Sequence, residues 1–435
     1  MGLGKTVQAL AHLLHEKLAG RLRKPALIVA PVSALAHWQR ELRRLAPALR
    51  ALSLHGPTRR ARFGQIGDAD VLITGYPQLT LDAHALLQQD FSVVILDEAQ
   101  MIKNPRAKVA QAACALRADQ RLCLTGTPLE NHLGELWSLF AFAQPDLFGG
   151  ESEFHRRYRA PIEKGGDRLR AEALAARLRP FLLRRTKDAV ARELPPKSTI
   201  IEPIVLEERQ RDFYDAIRLA SDRRIREIIA QAGLARSQLT ILEALLKLRQ
   251  ACCDPRLLAA GAGTDVPSAK LDWLAEALPE LVAEGRRILL FSQFTSMLRL
   301  IEARVRDLAI PYCLLTGTTA DRSAQIERFQ SHGAPLFLIS LKAGGTALNL
   351  TAADTVIHYE PWWNPAAEAQ ATDRAHRIGQ DKPVFVYRLI AQGTVEEKML
   401  KLQERKRTLA AGLYAGTSGS PSSLTLCDLE RLLAP

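Results

Sequence analysis

The sequence predicts an α/β protein with two parallel-sheet domains and a helical region between them. Short β-rich runs alternate with helical stretches from residue 26 to about residue 142, and the same alternation returns after residue 269. Between these segments the strand signals thin out and long helical stretches dominate. Alternation of strands and helices is typical of parallel sheets, because neighbouring parallel strands must be joined by a long crossover, usually a helix.

The strands predicted for the first domain are short apolar runs, namely ALIVAP, LRALSLHG, DVLITGY, SVVILDEA and RLCLTGTP. Those predicted for the second domain are RILLFSQF, YCLLTG, LFLISL, TVIHYE and VFVYRLI. The predicted boundaries are 1–142 for the first domain, 143–268 for helical insertions and a linker, 269–415 for the second domain and 416–435 for a C-terminal tail. A chain of 435 residues is too long for one core, which agrees with two domains.

The bulk composition is that of an ordinary globular protein, with 47% hydrophobic and 24% charged residues. No apolar stretch approaches the length needed to cross a bilayer, and the first residues lack the pattern of a secretory signal. We therefore expect a cytoplasmic protein. The six cysteines show neither a C-x-x-C pair nor zinc-like spacing with histidine, so we expect them to be reduced and structural.

The net charge of +12 indicates a polyanion partner but also suits a merely basic protein. Residues 151–192 contain twelve basic and six acidic residues, so this segment carries six of the twelve excess positive charges. Arg184 and Arg185 lie within it. The segment is either a nucleic-acid contact or a solvated helical face with extended arginine side chains.

The first candidate motif is GLGKT, which is the second half of a phosphate-binding loop. In such loops backbone amides cradle phosphates, the lysine reaches the β- and γ-phosphates and the threonine hydroxyl binds magnesium. The residues concerned are Gly2, Gly4, Lys5 and Thr6. Half a motif can also arise by chance, so other residues must decide.

The second motif is VVILDEAQ, an apolar run that ends in Asp97 and Glu98. In a phosphate-loop protein a carboxylate at the end of a strand holds magnesium, and its neighbour can polarise the attacking water. A third motif, LTGTPLEN, could be only a tight turn that leads into a helix. A fourth, QATDRAHRIGQ, places Arg374 and Arg377 on one predicted helix face, either as a solvated stripe or as arginine fingers for a γ-phosphate.

These motifs, together with FSQFTSML and LISLKAGGTALNLTAADTVIHYEPWWNP, resemble the Swi/Snf-like ATPases of helicase superfamily 2 in order and in domain placement. The resemblance covers nearly the whole chain and includes LRRTKDAVARELPPK and LRQACCDP. It implies two RecA-like domains with helical insertions, ATP and Mg²⁺ as cofactors, and double-stranded DNA as a partner that is bound largely without regard to sequence.

The resemblance also implies residue roles. Lys5 and Thr6 become the phosphate and magnesium contacts, Asp97 the magnesium carboxylate and Glu98 the residue that activates water, while Arg374 and Arg377 become the fingers. It further assigns nucleotide or DNA contacts, or coupling between them, to a larger set of residues: Gly2, Gly4, Gln100, Thr125, Thr127, Gly344, Gly345, Thr346 and Gln370. Gln380 belongs to the same sequence block as the two arginines. Arg184 and Arg185 join the DNA contacts because they lie in a family block.

Two departures from the family pattern stand out. Gln100 replaces the histidine of the usual D-E-A-H, which keeps hydrogen bonding but removes a titratable ring. The sequence also begins at the methionine inside the usual D-E-M-G-L-G-K-T, so we expect the chain as given to lack the strand before the phosphate loop and to bind ATP poorly.

The predicted function is an ATP-dependent double-stranded-DNA translocase, located in the cytoplasm on bacterial DNA and able to displace an unidentified bound protein. Two alternatives remain. One is a strand-separating helicase, although no separation element is recognisable. The other is a nucleic-acid-binding protein without ATPase activity, for which Trp362 and Trp363 could form a stacking platform rather than part of a core.

Overall fold

The computed structural model of the protein describes residues 3–126, 132–183, 185, 193–232, 238–258, 265–344, 348–401, 403 and 404. The chain divides into two compact units, with the boundary between residues 186 and 187. The segment expected to be a helical insertion, 143–268, is therefore shared between the two units. No helix among the described residues is long and apolar enough to cross a membrane.

The first unit is built on a sheet of five parallel strands in the order β2-β3-β1-β4-β5. The strands are β1 (Ala26–Ala30), β2 (Ala51–Leu54), β3 (Val71–Gly75), β4 (Asp90–Asp97) and β5 (Arg117–Leu124). Every residue of β1 and β3 is buried, as is typical of parallel strands that are covered on both faces. The carboxyl ends of such strands form the edge at which open α/β sheets bind ligands.

Helices surround this sheet and then extend beyond it. They are α1 (Lys5–Leu18), α2 (Val32–Leu45), α3 (Tyr76–Leu81), α4 (Ala83–Leu87), α5 (Lys108–Ala115), α6 (Leu133–Ala143), α7 (Glu151–Phe154), α8 (Ala160–Gly165) and α9 (Arg168–Leu178). Apart from the core around the sheet, an apolar cluster forms where α6 packs against the helices from α7 to α9. Phe148, Phe154 and Tyr158 make edge-on or tilted ring contacts in it. This cluster anchors the basic segment to the first unit.

The second unit is built on a sheet of six parallel strands in the order β6-β11-β10-β7-β9-β8. The strands are β6 (Lys197–Ile204), β7 (Ile288–Ser292), β8 (Tyr312–Leu315), β9 (Leu336–Ser340), β10 (Thr355–His358) and β11 (Val384–Ala391). Its helices are α10 (Glu208–Ala232), α11 (Gln238–Cys253), α12 (Ala269–Ala283), α13 (Thr295–Asp307), α14 (Arg322–Gln330), α15 (Leu341–Gly344) and α16 (Pro365–Thr372).

The prediction of two parallel-sheet α/β domains with helices is confirmed. All ten predicted strands are present, but β6 lies in the segment for which only helices were expected. It is an edge strand with an alternating, largely exposed pattern and a proline at position 203. Only strands at a sheet edge tolerate proline well, and their weak apolar signal explains why β6 was missed.

Trp362 and Trp363 belong to a packed cluster of the second unit. The guanidinium of the buried Arg249 lies 5.3 Å and 5.5 Å from the centroids of their rings, and 5.7 Å from that of Phe294. Arg249 also donates a hydrogen bond of 2.9 Å to the carbonyl of Pro361. These contacts favour the packing interpretation of the two tryptophans over a stacking platform for bases.

Candidate active site

The amino end of α1 has the geometry of a phosphate-binding site. Gly4 precedes the helix with φ 74° and ψ 30°, a left-handed conformation that glycine adopts without strain. Lys5 and Thr6 are the first two residues of the 14-residue helix, where backbone amides have no partner within the helix. Such an end attracts anions through these amides and the helix dipole. Gly2 lies outside the described residues.

Asp97 ends β4 and is held by three buried hydrogen bonds. The indole N–H of Trp38 donates to one carboxylate oxygen at 2.9 Å, and the backbone N–H of Glu98 donates to the other at 3.0 Å. The hydroxyl of Tyr76 donates to the backbone carbonyl of Asp97 at 2.7 Å. The carboxylate is thus fixed in orientation at the carboxyl edge of the sheet.

Two opposing influences set the pKa of Asp97. Burial and the neighbouring charge of Glu98 raise this pKa to about 6, while the Trp38 hydrogen bond and the charge of Lys5 lower it. The contribution of Lys5 means that its ammonium group lies within electrostatic range of the carboxylate. The structure therefore brings the start of α1 and the end of β4 together.

Glu98 follows the strand in a left-handed backbone conformation, with φ 50° and ψ 53°. Few residues other than glycine adopt this conformation, and it is often found at functional sites. The side-chain amide of Gln100 donates to the Glu98 carboxylate at 2.8 Å, and its oxygen accepts from the hydroxyl of Thr125 at 2.8 Å. Gln100 thereby connects the strand end of β4 with the residue that follows β5. Thr127 lies outside the described residues.

The donor set at this edge fits a magnesium ion that is bound together with a nucleotide. Mg²⁺ prefers oxygen ligands, usually one or two from the protein with phosphates and waters supplying the rest. Asp97 and Thr6 offer such oxygens. Within the described ranges no three His, Cys, Asp or Glu side chains are grouped to hold a metal by themselves.

Arg374 and Arg377 lie in the second unit, and the prediction that they share a helix face is wrong. Helix α16 ends at Thr372, and both arginines lie in the turns that follow. Both residues contact a distant loop: the N–H of Leu350 donates to the carbonyl of Arg374 at 3.1 Å, and the Arg377 guanidinium donates to the carbonyl of Leu348 at 3.1 Å. Arg374 is buried, whereas Arg377 is partly exposed.

The remaining candidates of the second unit lie near this segment in sequence. Gln370 is buried on α16. Gly344 ends α15, while Gly345 and Thr346 lie outside the described residues. The roles of these residues toward a nucleotide or DNA stay predictions.

The basic segment of the first unit divides into two groups of side chains. Arg159 and Arg170 form ion pairs with Glu163 and Asp167, while other arginines lie over aromatic rings. A second group is exposed and has no acidic or aromatic partner among the described residues: Arg156, Lys164, Arg168, Arg179 and Arg185. Arg184 lies outside the described residues. The exposed group is available to a polyanion.

Trp38 and Tyr76 were missed by the sequence analysis, although both contact Asp97 directly. Neither belongs to a recognisable motif, and each lies on a helix, α2 or α3, whose apolar residues are those of an ordinary core-facing surface. A general argument could have suggested them, because a buried carboxylate needs donors, and tryptophan and tyrosine combine an apolar ring with one donor.

Comparison with known proteins identifies two family domains in the chain. Residues 1–257 match the SNF2-related domain, and residues 269–379 match the helicase conserved C-terminal domain. The chain is 41% identical over 421 residues to the candidate ATP-dependent helicase/translocase YwqA of Bacillus subtilis, covering 94% of this chain and 45% of that protein. It is 36% identical over 436 residues to an uncharacterized ATP-dependent helicase of Mycoplasma pneumoniae, covering 99% and 41%.

Among solved structures, the chain is similar to the Sulfolobus solfataricus SWI2/SNF2 ATPase core in complex with dsDNA, with 35% identity, 94% of this chain and 86% of that chain covered, and a TM-score of 0.45. The chain spans less than half the length of the two bacterial relatives. The match to the SNF2-related domain extends over more than half of the sequence, and it includes Lys5, Asp97 and Glu98. The chain therefore belongs to the SNF2 family.

Proposed function

We propose that the protein is an ATP-driven translocase on double-stranded DNA, which hydrolyses ATP to ADP and phosphate. One observation carries the proposal: a fixed, buried carboxylate at Asp97 lies beside Glu98 and within electrostatic range of Lys5 at a helix amino end. These are the groups needed to bind a triphosphate and to assist attack by water.

Each residue of the first unit has a defined role in this proposal. The amides at the start of α1 and the Lys5 ammonium bind the phosphates, and Thr6 and Asp97 would hold a magnesium ion, which would supply positive charge next to the phosphates. Glu98 orients the attacking water and accepts its proton. Gln100 keeps the Glu98 carboxylate in place through its bond to Thr125.

Arg374 and Arg377 of the second unit complete the site in the proposal. A guanidinium that contacts the γ-phosphate stabilises the charge that develops as the phosphoryl group is transferred. In the proposal, hydrolysis and release of phosphate end the contact of these guanidinium groups with the γ-phosphate. Such changes in contact during turnover are a general means by which motors produce movement.

Duplex DNA is the proposed track. The exposed basic residues between positions 156 and 185 suit contacts with phosphates, which position a protein without reading sequence. A motor must hold every position that it crosses, so we propose binding that is largely independent of sequence. Location on bacterial DNA in the cytoplasm, and displacement of a bound protein, follow as further parts of the proposal.

A triplex-displacement assay with the full-length protein tests this function against strand separation. We expect ATP-dependent release of a labelled third strand from a duplex, with no unwinding of a forked duplex. Unwinding of the fork would favour the helicase alternative. A protein that binds DNA but releases no third strand and hydrolyses no ATP would support the ATPase-inactive alternative.

A further inference from the structure

The side-chain amide of Gln380 joins two segments of the second unit. Gln380 is buried, and its amide nitrogen lies 3.1 Å from the carbonyl of Thr351, 2.7 Å from that of Ala353 and 3.0 Å from that of Ala375. Its oxygen accepts the backbone N–H groups of the next two residues, at 3.1 Å and 3.0 Å. One side chain thus satisfies backbone groups of the loop 348–353 and of the segment 373–382.

The same two segments are joined at other points. The Leu350 N–H donates to the Arg374 carbonyl, and the Arg377 guanidinium donates to the Leu348 carbonyl. The segment follows the end of α16, and the backbone N–H groups of Arg374, Ala375 and His376 donate to the carbonyls of residues 371 and 372 of that helix. Side chains tie the segment to the loop as well, and the amide nitrogen of Gln380 alone reaches two loop carbonyls.

A second glutamine binds the loop from its other side. The Gln330 amide nitrogen donates to the Asn349 carbonyl at 2.7 Å, and the Gln330 oxygen accepts the Ala352 N–H at 3.2 Å. Gln330 ends α14 and contacts the loop, and among the described residues it makes no hydrogen bond to the segment that carries the arginines. The loop is therefore held between two amides, of which only Gln380 also reaches the arginines' own segment.

We infer that Gln380 is a positioning residue for hydrolysis, which fastens the segment bearing Arg374 and Arg377 to the loop 348–353. The inference rests on the proposed function of these arginines. A displacement of about 1 Å in a catalytic group can lower a rate by ~100-fold, so loss of this support reduces turnover while leaving ground-state binding of ATP largely intact.

The test substitutes Gln380→Glu in the full-length protein. The carboxylate has nearly the shape of the amide but no N–H, so it faces three carbonyl oxygens without a donor. We expect kcat for ATP hydrolysis on duplex DNA to fall at least ~10-fold, with KM for ATP within ~3-fold of the wild-type value. The matched control is Gln330→Glu, the same change on the other side of the same loop, for which kcat should stay within ~2-fold.

A double-mutant cycle with Arg377→Ala separates positioning from general destabilisation. If Gln380 acts through the arginine segment, adding Gln380→Glu to Arg377→Ala should lower kcat far less than it does in the wild-type protein. A change that merely reduced the folded fraction would lower kcat by the same factor in both backgrounds, which would overturn the inference. So would normal turnover in Gln380→Glu. A wild-type protein without ATP turnover would instead overturn the proposed function, and the inference with it.

Discussion

Replacing Trp38 with phenylalanine tests whether the Trp38 hydrogen bond stabilises Asp97, the proposed magnesium ligand. The change keeps most of the buried ring but removes the only hydrogen bond from Trp38 to Asp97, which is 2.9 Å long and fully buried. A hydrogen bond to a charged group contributes about 1.5–3 kcal/mol. For a unit of this size, each kcal/mol lowers the unfolding midpoint by about 2–4 °C, so we expect a decrease of roughly 3–12 °C in the first unit's transition.

The functional consequence of Trp38→Phe should be a higher magnesium requirement, because the carboxylate loses one of the two donors that orient it. Calorimetric unfolding and a magnesium titration of ATP turnover measure the two effects. Trp137→Phe is the matched control: its indole donates to the Gly149 carbonyl at 3.1 Å in an exposed position of the same unit. An unfolding midpoint and magnesium requirement that match those of the control would refute the role given to Trp38.

Three further results are expected. Replacing Arg179 and Arg185 with alanine should weaken duplex binding equally for unrelated sequences and reduce the slope of log affinity against log salt by about 0.9 per lost phosphate contact. Unchanged slopes would show that the segment is a solvated surface and not a DNA contact. Arg377→Ala should lower ATP turnover by ~10³-fold at nearly constant DNA affinity. Loss of DNA affinity with normal turnover would show instead that this arginine contacts DNA. Burial lowers the pKa of His358 to about 4, so the contribution of this residue to stability is present above pH 6.5 and is lost as the pH falls. Burial raises the pKa of Glu360 to about 7, so the contribution of this residue is present below pH 4.5 and is lost as the pH rises. In urea unfolding, Glu360→Gln should therefore lose stability more steeply than wild type as the pH drops from 6.5 to 4.5, and His358→Gln should show the opposite change; parallel profiles would contradict both pKa values.

Sequence patterns predicted the central strands well, because parallel strands covered on both faces appear as continuous apolar runs. The run at 26–30 is an example, and all five of its residues are buried. The edge strand Lys197–Ile204 has no such run and was missed. Its pairing with Val384–Ala391 joins segments about 190 residues apart in sequence, a relation that no local pattern contains.

The site was predicted only in part, because some of its contacts join residues that are far apart in sequence. Motifs identified Asp97, Glu98 and Gln100, which the structure links in sequence order along one turn. The surroundings of Arg374 and Arg377 could not be predicted, because their contacts include a loop more than 20 residues upstream. The donor from Trp38 likewise crosses 59 residues of sequence.

Steady-state ATP hydrolysis by the full-length protein, measured with and without duplex DNA and compared with Glu98→Gln, tests the central claim most directly. Glu98 has an unusual backbone conformation and a dedicated hydrogen-bond partner beside the proposed magnesium carboxylate. We expect duplex DNA to stimulate the wild-type protein, and we expect Glu98→Gln to bind ATP but to turn it over at least ~100-fold more slowly. Near-normal, duplex-stimulated turnover in Glu98→Gln would contradict the assignment of this site.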